Sequence, residues 1–169
     1  MFNKNNWKET IYKNDVITVI IFGLTAAILG GIFAGLVDAA ITKFFDSLGI
    51  NFGITVSLLL CSLFVGFSVK KGYESYHILY PVLALGFMIV ALFFSQVAYQ
   101  VGYEGIQSLG STLSSGEFYL YVLILPFNYL RLMIILGKFS FVYFIYLIIN
   151  ILFYVLAFIA AYKIAKGRN

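Results

Sequence analysis

Charged residues in this chain come in groups, and between the groups run long uncharged apolar stretches. The first stretch lies between Asp15 and Asp38 and predicts a membrane span over 16–37, since about 22 residues at roughly 1.5 Å each cover a hydrocarbon core. A second stops abruptly at Lys70-Lys71-Gly72 and predicts a span over about 51–69. The third follows Tyr76-His77 and predicts a span over about 78–101, with Pro81 in its first turn, where a missing N–H does no harm. The last predicts a span over about 139–162 and ends at Lys163, Lys166 and Arg168.

Residues 102–116 are rich in Gly and Ser and predict a loop. Residues 118–136 are apolar again but carry Pro126, Asn128 and Arg131. A fifth span there would put Arg131 near a helix centre at a cost of roughly 2.5–3.5 kcal/mol, and would carry the basic C-terminus to the face opposite Lys70 and Lys71. On one continuous helix, Glu117, Asn128, Arg131 and Lys138 share an arc of about 80°. That pattern predicts either a segment lying in the interface or a re-entrant hairpin broken at Pro126. The expected fold is all-α: a single domain forming a four-transmembrane-helix bundle, with this extra segment before the last span.

Composition agrees with that placement. Hydrophobic residues make up 62% and charged residues 11%, against roughly 45–50% and 25% in soluble domains, and no soluble fold of this size buries so much. Four spans put Lys4, Lys8, Lys13, Lys70, Lys71, Lys163, Lys166 and Arg168 on one side, and Lys43, Arg131 and Lys138 on the other. The positive-inside rule then predicts both termini in the cytoplasm. Heavy use of Ile, Phe, Tyr, Asn and Lys suits an AT-rich genome, and with it a bacterial cytoplasmic membrane. The net charge of +4 is membrane topology and not a nucleic-acid footprint, because no basic stripe is interleaved with aromatics. The first apolar run is longer than a signal-peptide core and is expected to remain in the protein.

The sharpest pattern is in the first span. Gly23, Ala27, Gly31, Gly35 and Ala39 recur every four residues, with Ala26, Gly30 and Ala34 in a second row alongside. In lipid, helices gain by close van der Waals contact, which small side chains permit. This face therefore packs tightly, against another helix of the chain or against a homo-oligomer or other membrane partner.

Polar residues inside apolar helices come next, because an unpaired polar group in hydrocarbon is costly. Asn150 sits near the middle of the last span, with Thr25, Ser57, Ser62 or the backbone as candidate partners. Gln96, Tyr99, Gln100 and Tyr103 share a face at the outer end of the third span. They either line a vestibule or mark an aromatic belt, whose other half is Tyr73, Tyr76 and Tyr80. Asp38 continues the Ala26, Gly30, Ala34 row, and Arg131 is its expected partner. Asn150, Gln96, Gln100, Asp38 and Arg131 together are the candidate polar route, or alternatively interhelical glue.

No other chemistry is legible. Asp38, Asp46, Glu104 and Glu117 lack the spacing of a calcium loop, and Glu74 with His77, the sole histidine, lacks the second pair that a carboxylate-bridged metal site needs. Cys61 is the only cysteine, which excludes an intramolecular disulfide and a Cys-based zinc site. Phosphate-cradling glycine loops and nucleophile elbows are missing. The expectation is no catalytic residue, metal or cofactor.

Phe64-Val65-Gly66-Phe67-Ser68-Val69-Lys70-Lys71-Gly72, then Tyr80-Pro81-Val82-Leu83-Ala84, and the ending Leu152-Phe153-Tyr154-Val155-Leu156-Ala157 with Ala160-Ala161-Tyr162-Lys163, resemble a group of uncharacterised bacterial four-helix integral membrane proteins. The resemblance implies four spans and a basic inner loop, implies no activity, and does not extend to 118–136. The sequence as a whole favours a non-catalytic subunit or accessory factor acting by helix–helix contacts within the bilayer, through the small-residue face. The alternative is a small-solute or ion transporter, or channel-like protein, with a polar route through the bundle.

Overall fold

A computed structural model describes residues 11–50, 57–136 and 141–167. Every element among them is helical: α1 (Lys13–Ser47), α2 (Ser57–Lys71), α3 (Leu79–Glu104), α4 (Ser108–Ser114), α5 (Gly116–Ile124), a 3-10 turn (Leu125–Phe127), α6 (Asn128–Leu136) and α7 (Phe141–Lys166). Helices α1, α3 and α7 are long and apolar enough to cross a membrane, which marks the protein as membrane-embedded. The described part of α2 is 15 residues, about 22 Å, and residues 51–56, where the sequence starts its second span, lie outside the described residues.

Charge proves a poor guide to helix ends. α1 runs past Asp38, Lys43 and Asp46 to Ser47. It stops where Gly49 takes φ +72°, with the N–H groups of Gly49 and Ile50 donating back to the carbonyls of Asp46 and Phe45 at 2.9 Å each. A glycine turns the chain there without the steric cost other residues meet. α3 likewise continues to Glu104. The expected loop over 102–116 is largely helical, because the hydroxyls of Ser108, Ser111 and Ser114 each donate to the carbonyl three residues back and support the short α4. Pro126 falls in the 3-10 turn between α5 and α6. The single polar arc is broken between Glu117 on α5 and Asn128 and Arg131 on α6, since the 3-10 turn separates the two helices, and Lys138 lies outside the described residues.

The core of the bundle is α1 against α3, then α2 against α1 and α7. Pairs of near contacts rise together along α1 and α3, from Gly23 at Phe87 through Gly31 at Ala91 and Gly35 at Ser95 to Ala39 at Gly102, so these helices run parallel. α2 returns antiparallel to α1, from Asp38 at Ser57 to Val19 at Gly72. α7 places Tyr154, Ala157, Ala161 and Ala165 inward, and Gly66 of α2 packs on Ile164 and Ala161.

One end of the bundle is tied by polar contacts. Asp15 accepts the N–H groups of Glu74 and Ser75 at 3.3 Å, and the Tyr73 hydroxyl donates to the Ala165 carbonyl. Burial, helped by the neighbouring Tyr76 and Tyr80 phenols, pushes the Tyr73 hydroxyl above its ordinary range, so it remains a donor. The start of α1, the α2–α3 turn and the end of α7 thus meet, and they bring Lys13, Lys70, Lys71, Lys163 and Lys166 to the same end.

Candidate functional site

The two small-residue rows of α1 have different partners. Gly23, Gly31, Gly35 and Ala39 meet α3, and Ala27 between them is fully buried. Gly30, Ala34 and Asp38 meet α2. The contact with α3 is close enough that the backbone of one helix touches the backbone of the other at Gly35 and Ser95. The small-residue face is filled within the chain, and a partner helix would have to displace α3 to use it.

At the far end of the α1–α2 contact, the small row ends on Asp38, which is only 7% exposed. Its Oδ2 lies 2.5 Å from Ser57 Oγ, and its Oδ1 accepts the Ser57 N–H at 3.4 Å. Ser57 Oγ is also 2.9 Å from the Ala34 carbonyl oxygen, one turn back on α1. The expected Asp38–Arg131 pair does not form: Asp38 is engaged with Ser57, and Arg131 is exposed on α6. An ion pair needs the cation on a helix packed against the acid, and α6 instead packs against α7.

A second tier lies beyond Asp38. The Thr42 hydroxyl donates to the Asp38 carbonyl at 2.8 Å, and Tyr99 of α3 is hydrogen-bonded with Thr42. Tyr103 stacks on Tyr99 with centroids 5.8 Å apart, and its hydroxyl donates to Asp46 at 2.7 Å. These two tyrosines, read from sequence as vestibule or belt, join α3 to the upper part of α1.

The remaining route residues divide. Gln96 and Asn150 are buried, Gln100 is half-buried and Arg131 is exposed. Of the hydroxyls expected to serve Asn150, Ser57 is bound to Asp38, Ser62 donates to the Leu59 carbonyl at 2.6 Å, and Thr25 is exposed. Among the described residues no group of three or more His, Cys, Asp or Glu is placed to hold a metal. Sequence reasoning missed Ser57 as the partner of Asp38; the available signal was that Asp38 ends the Ala26, Gly30, Ala34 row, which here packs on α2.

Ser95 adds a test of the packing. Its hydroxyl is buried with no hydrogen-bond partner, and such a group forfeits about 1–3 kcal/mol of hydrogen bonding. Ser95→Ala is expected to leave the thermal unfolding midpoint in mild detergent unchanged or higher. A clear drop would mean that the hydroxyl has a partner in the membrane.

Comparison of the chain with protein-family models, with curated proteins and with solved structures finds no match in any of the three.

Proposed function

We propose that the chain is a small polytopic membrane protein that handles an ion or small solute at the Asp38 cluster, with four spans and both ends on the cytoplasmic side. The single observation behind this reading is a carboxyl group buried between apolar helices and held by a hydroxyl, with no cation beside it among the described residues. Such groups are costly in a membrane, and they mark ion pathways and proton relays more often than structural contacts. The fourth span is the sequence's run over about 51–69, whose part from Ser57 onward lies in α2. It is supported by the packing of α2 on both α1 and α7 and by the shared end of the basic residues.

The test is flux. Purified protein in liposomes with a pH-reporting dye inside, given a proton, Na⁺ or K⁺ gradient, is expected to dissipate one of them faster than empty liposomes do. Asp38→Asn is expected to slow that flux at least about tenfold, the effect of roughly 1.4 kcal/mol on a barrier. Rates equal to those of empty liposomes for all three ions would sink the ion reading.

The subunit or accessory reading has one support of its own. α1 exposes Ile17, Ile21, Leu29 and Phe33, a surface that suits a partner helix as well as lipid. A native mass spectrum of protein extracted in lipid separates the two: a second chain at fixed stoichiometry favours the subunit, and a bare monomer the transporter.

A further inference from the structure

The contact between α1 and α2 places more acceptors around Ser57 than its hydroxyl can serve. Ser57 Oγ is 2.5 Å from Asp38 Oδ2 and 2.9 Å from the Ala34 carbonyl oxygen, and a serine hydroxyl carries one proton. Two arrangements satisfy that limit. In the first, Asp38 is a carboxylate, Ser57 donates to it, and the Ala34 carbonyl keeps only its helical partner. In the second, Asp38 carries a proton on Oδ2, donates it to Ser57 Oγ, and Ser57 donates onward to Ala34.

Energetics separate the two arrangements. The first leaves an ion in a 7% exposed position between apolar helices, where an uncompensated charge is expensive. The second holds no charge and gives every hydrogen an acceptor, while Oδ1 accepts the Ser57 N–H in both. The change from one to the other reverses the direction of one hydrogen bond and makes or releases one bond to Ala34. No helix has to move, so the proton can come and go repeatedly.

Other titratable groups near the cluster are few. From α3 comes Tyr99, beside Thr42, with Glu104 at the helix end; from α2 comes Cys61, one turn from Ser57 and against Gly30; along α1 come Asp46 and the exposed Lys43. None of them is hydrogen-bonded to the Asp38 carboxyl group, whose partner is Ser57.

We propose that Asp38, Ser57 Oγ and the Ala34 carbonyl form a proton-binding site, which takes up one proton on Asp38 Oδ2 and releases it from the end of the bundle away from Lys70. Only an O–H bond is made or broken. The proposal rests on the reading of this cluster as the working site, and it names the ion.

Dicyclohexylcarbodiimide, which modifies protonated carboxyl groups in apolar surroundings, tests it on the whole protein in lipid vesicles. Peptide mapping is expected to find the adduct on Asp38 at low pH and to see it decline as pH rises. Asp38→Asn is expected to remove it, with the variant's elution profile in detergent showing that it folds. Ser57→Ala is expected to carry labelling to higher pH by about tenfold in proton concentration, because the carboxylate loses a charge-assisted bond stronger than the neutral one. An infrared band of protonated carboxyl that titrates in wild type and is missing in Asp38→Asn is the second readout.

Labelling of Asp38 with no ion flux in liposomes would support the site and overturn the transport reading. Wild type left unmodified across the pH range, or an adduct mapped to another carboxyl group, would overturn the site.

Discussion

Gly35→Ala is expected to destabilise the protein by about 3 kcal/mol, the upper part of the usual range for forcing extra volume into a packed core. A Cβ at Gly35 would stand 2.0 Å from the Ser95 carbonyl oxygen and 2.8 Å from both the Ser95 carbonyl carbon and the Tyr99 nitrogen. All three are backbone atoms, and none can rotate aside. Relief requires α1 and α3 to separate, which also opens the contacts at Gly31 and between Ala39 and Gly102. In lipid the loss is not offset by any hydrophobic gain elsewhere, because close packing holds helices together there.

Comparison among glycines makes the prediction specific. At Gly23 the three atoms nearest the added one all belong to the Phe87 ring, the first 2.2 Å away, and a ring can shift, so Gly23→Ala is expected to cost about 1 kcal/mol, the low end for overpacking. Gly86, also in a long helix, has nothing within 4 Å of its added Cβ. Gly86→Ala is expected to be neutral, or stabilising by up to about 1 kcal/mol from helix propensity. Thermal unfolding in one detergent ranks the set. Should Gly35→Ala unfold no earlier than Gly86→Ala, the parallel contact of α1 with α3 is not this close.

The glycine rows show what a sequence of this kind discloses and what it conceals. Spacing by four fixes a face, so Gly23, Gly31 and Gly35 could be read as a packing surface with no knowledge of the partner. Which helix fills that face depends on where the chain returns, and spacing carries no information about that. The complementary surface on α3, with Ala84, Ala91, Ser95 and Ala98 buried, went unread because Phe87, Met88 and Leu92 interrupt its periodicity. The same is true of Ala157, Ala161 and Ala165 on α7, hidden among aromatics. Charge marks the edge of an apolar run and not the end of a helix: Asp38 lies inside the contact between helices, and α1 ends at Ser47, ten residues after Val37, where Gly49 allows the turn. Asp38 itself was legible as a residue to watch. Its partner was misassigned because opposite charge suggests Arg131, whereas proximity selects Ser57.

Tyr80→Ala is expected to cost about 3 kcal/mol, at the low end of aromatic-to-alanine losses in protein cores. Tyr80 is 1% exposed and the largest of the fully buried side chains among the described residues. Its ring stacks on Tyr73 at 4.7 Å and meets His77 edge-on at 6.1 Å. The low end applies because hydrocarbon already surrounds the bundle: the transfer contribution shrinks, leaving the lost dispersion contacts and the cavity. The loss also spreads, since Tyr73 holds the Ala165 carbonyl and so fixes the end of α7 against the α2–α3 turn. Tyr80→Phe keeps the ring and is expected to stay within about 1 kcal/mol of wild type, the net worth of a single hydroxyl bond. Unfolding midpoints for the two variants, with proteolysis at Lys163 and Lys166 as a local probe, decide the matter: equal midpoints would remove the ring from the core, while a large drop for Tyr80→Ala with faster cleavage places the stack at the centre of what holds this end together.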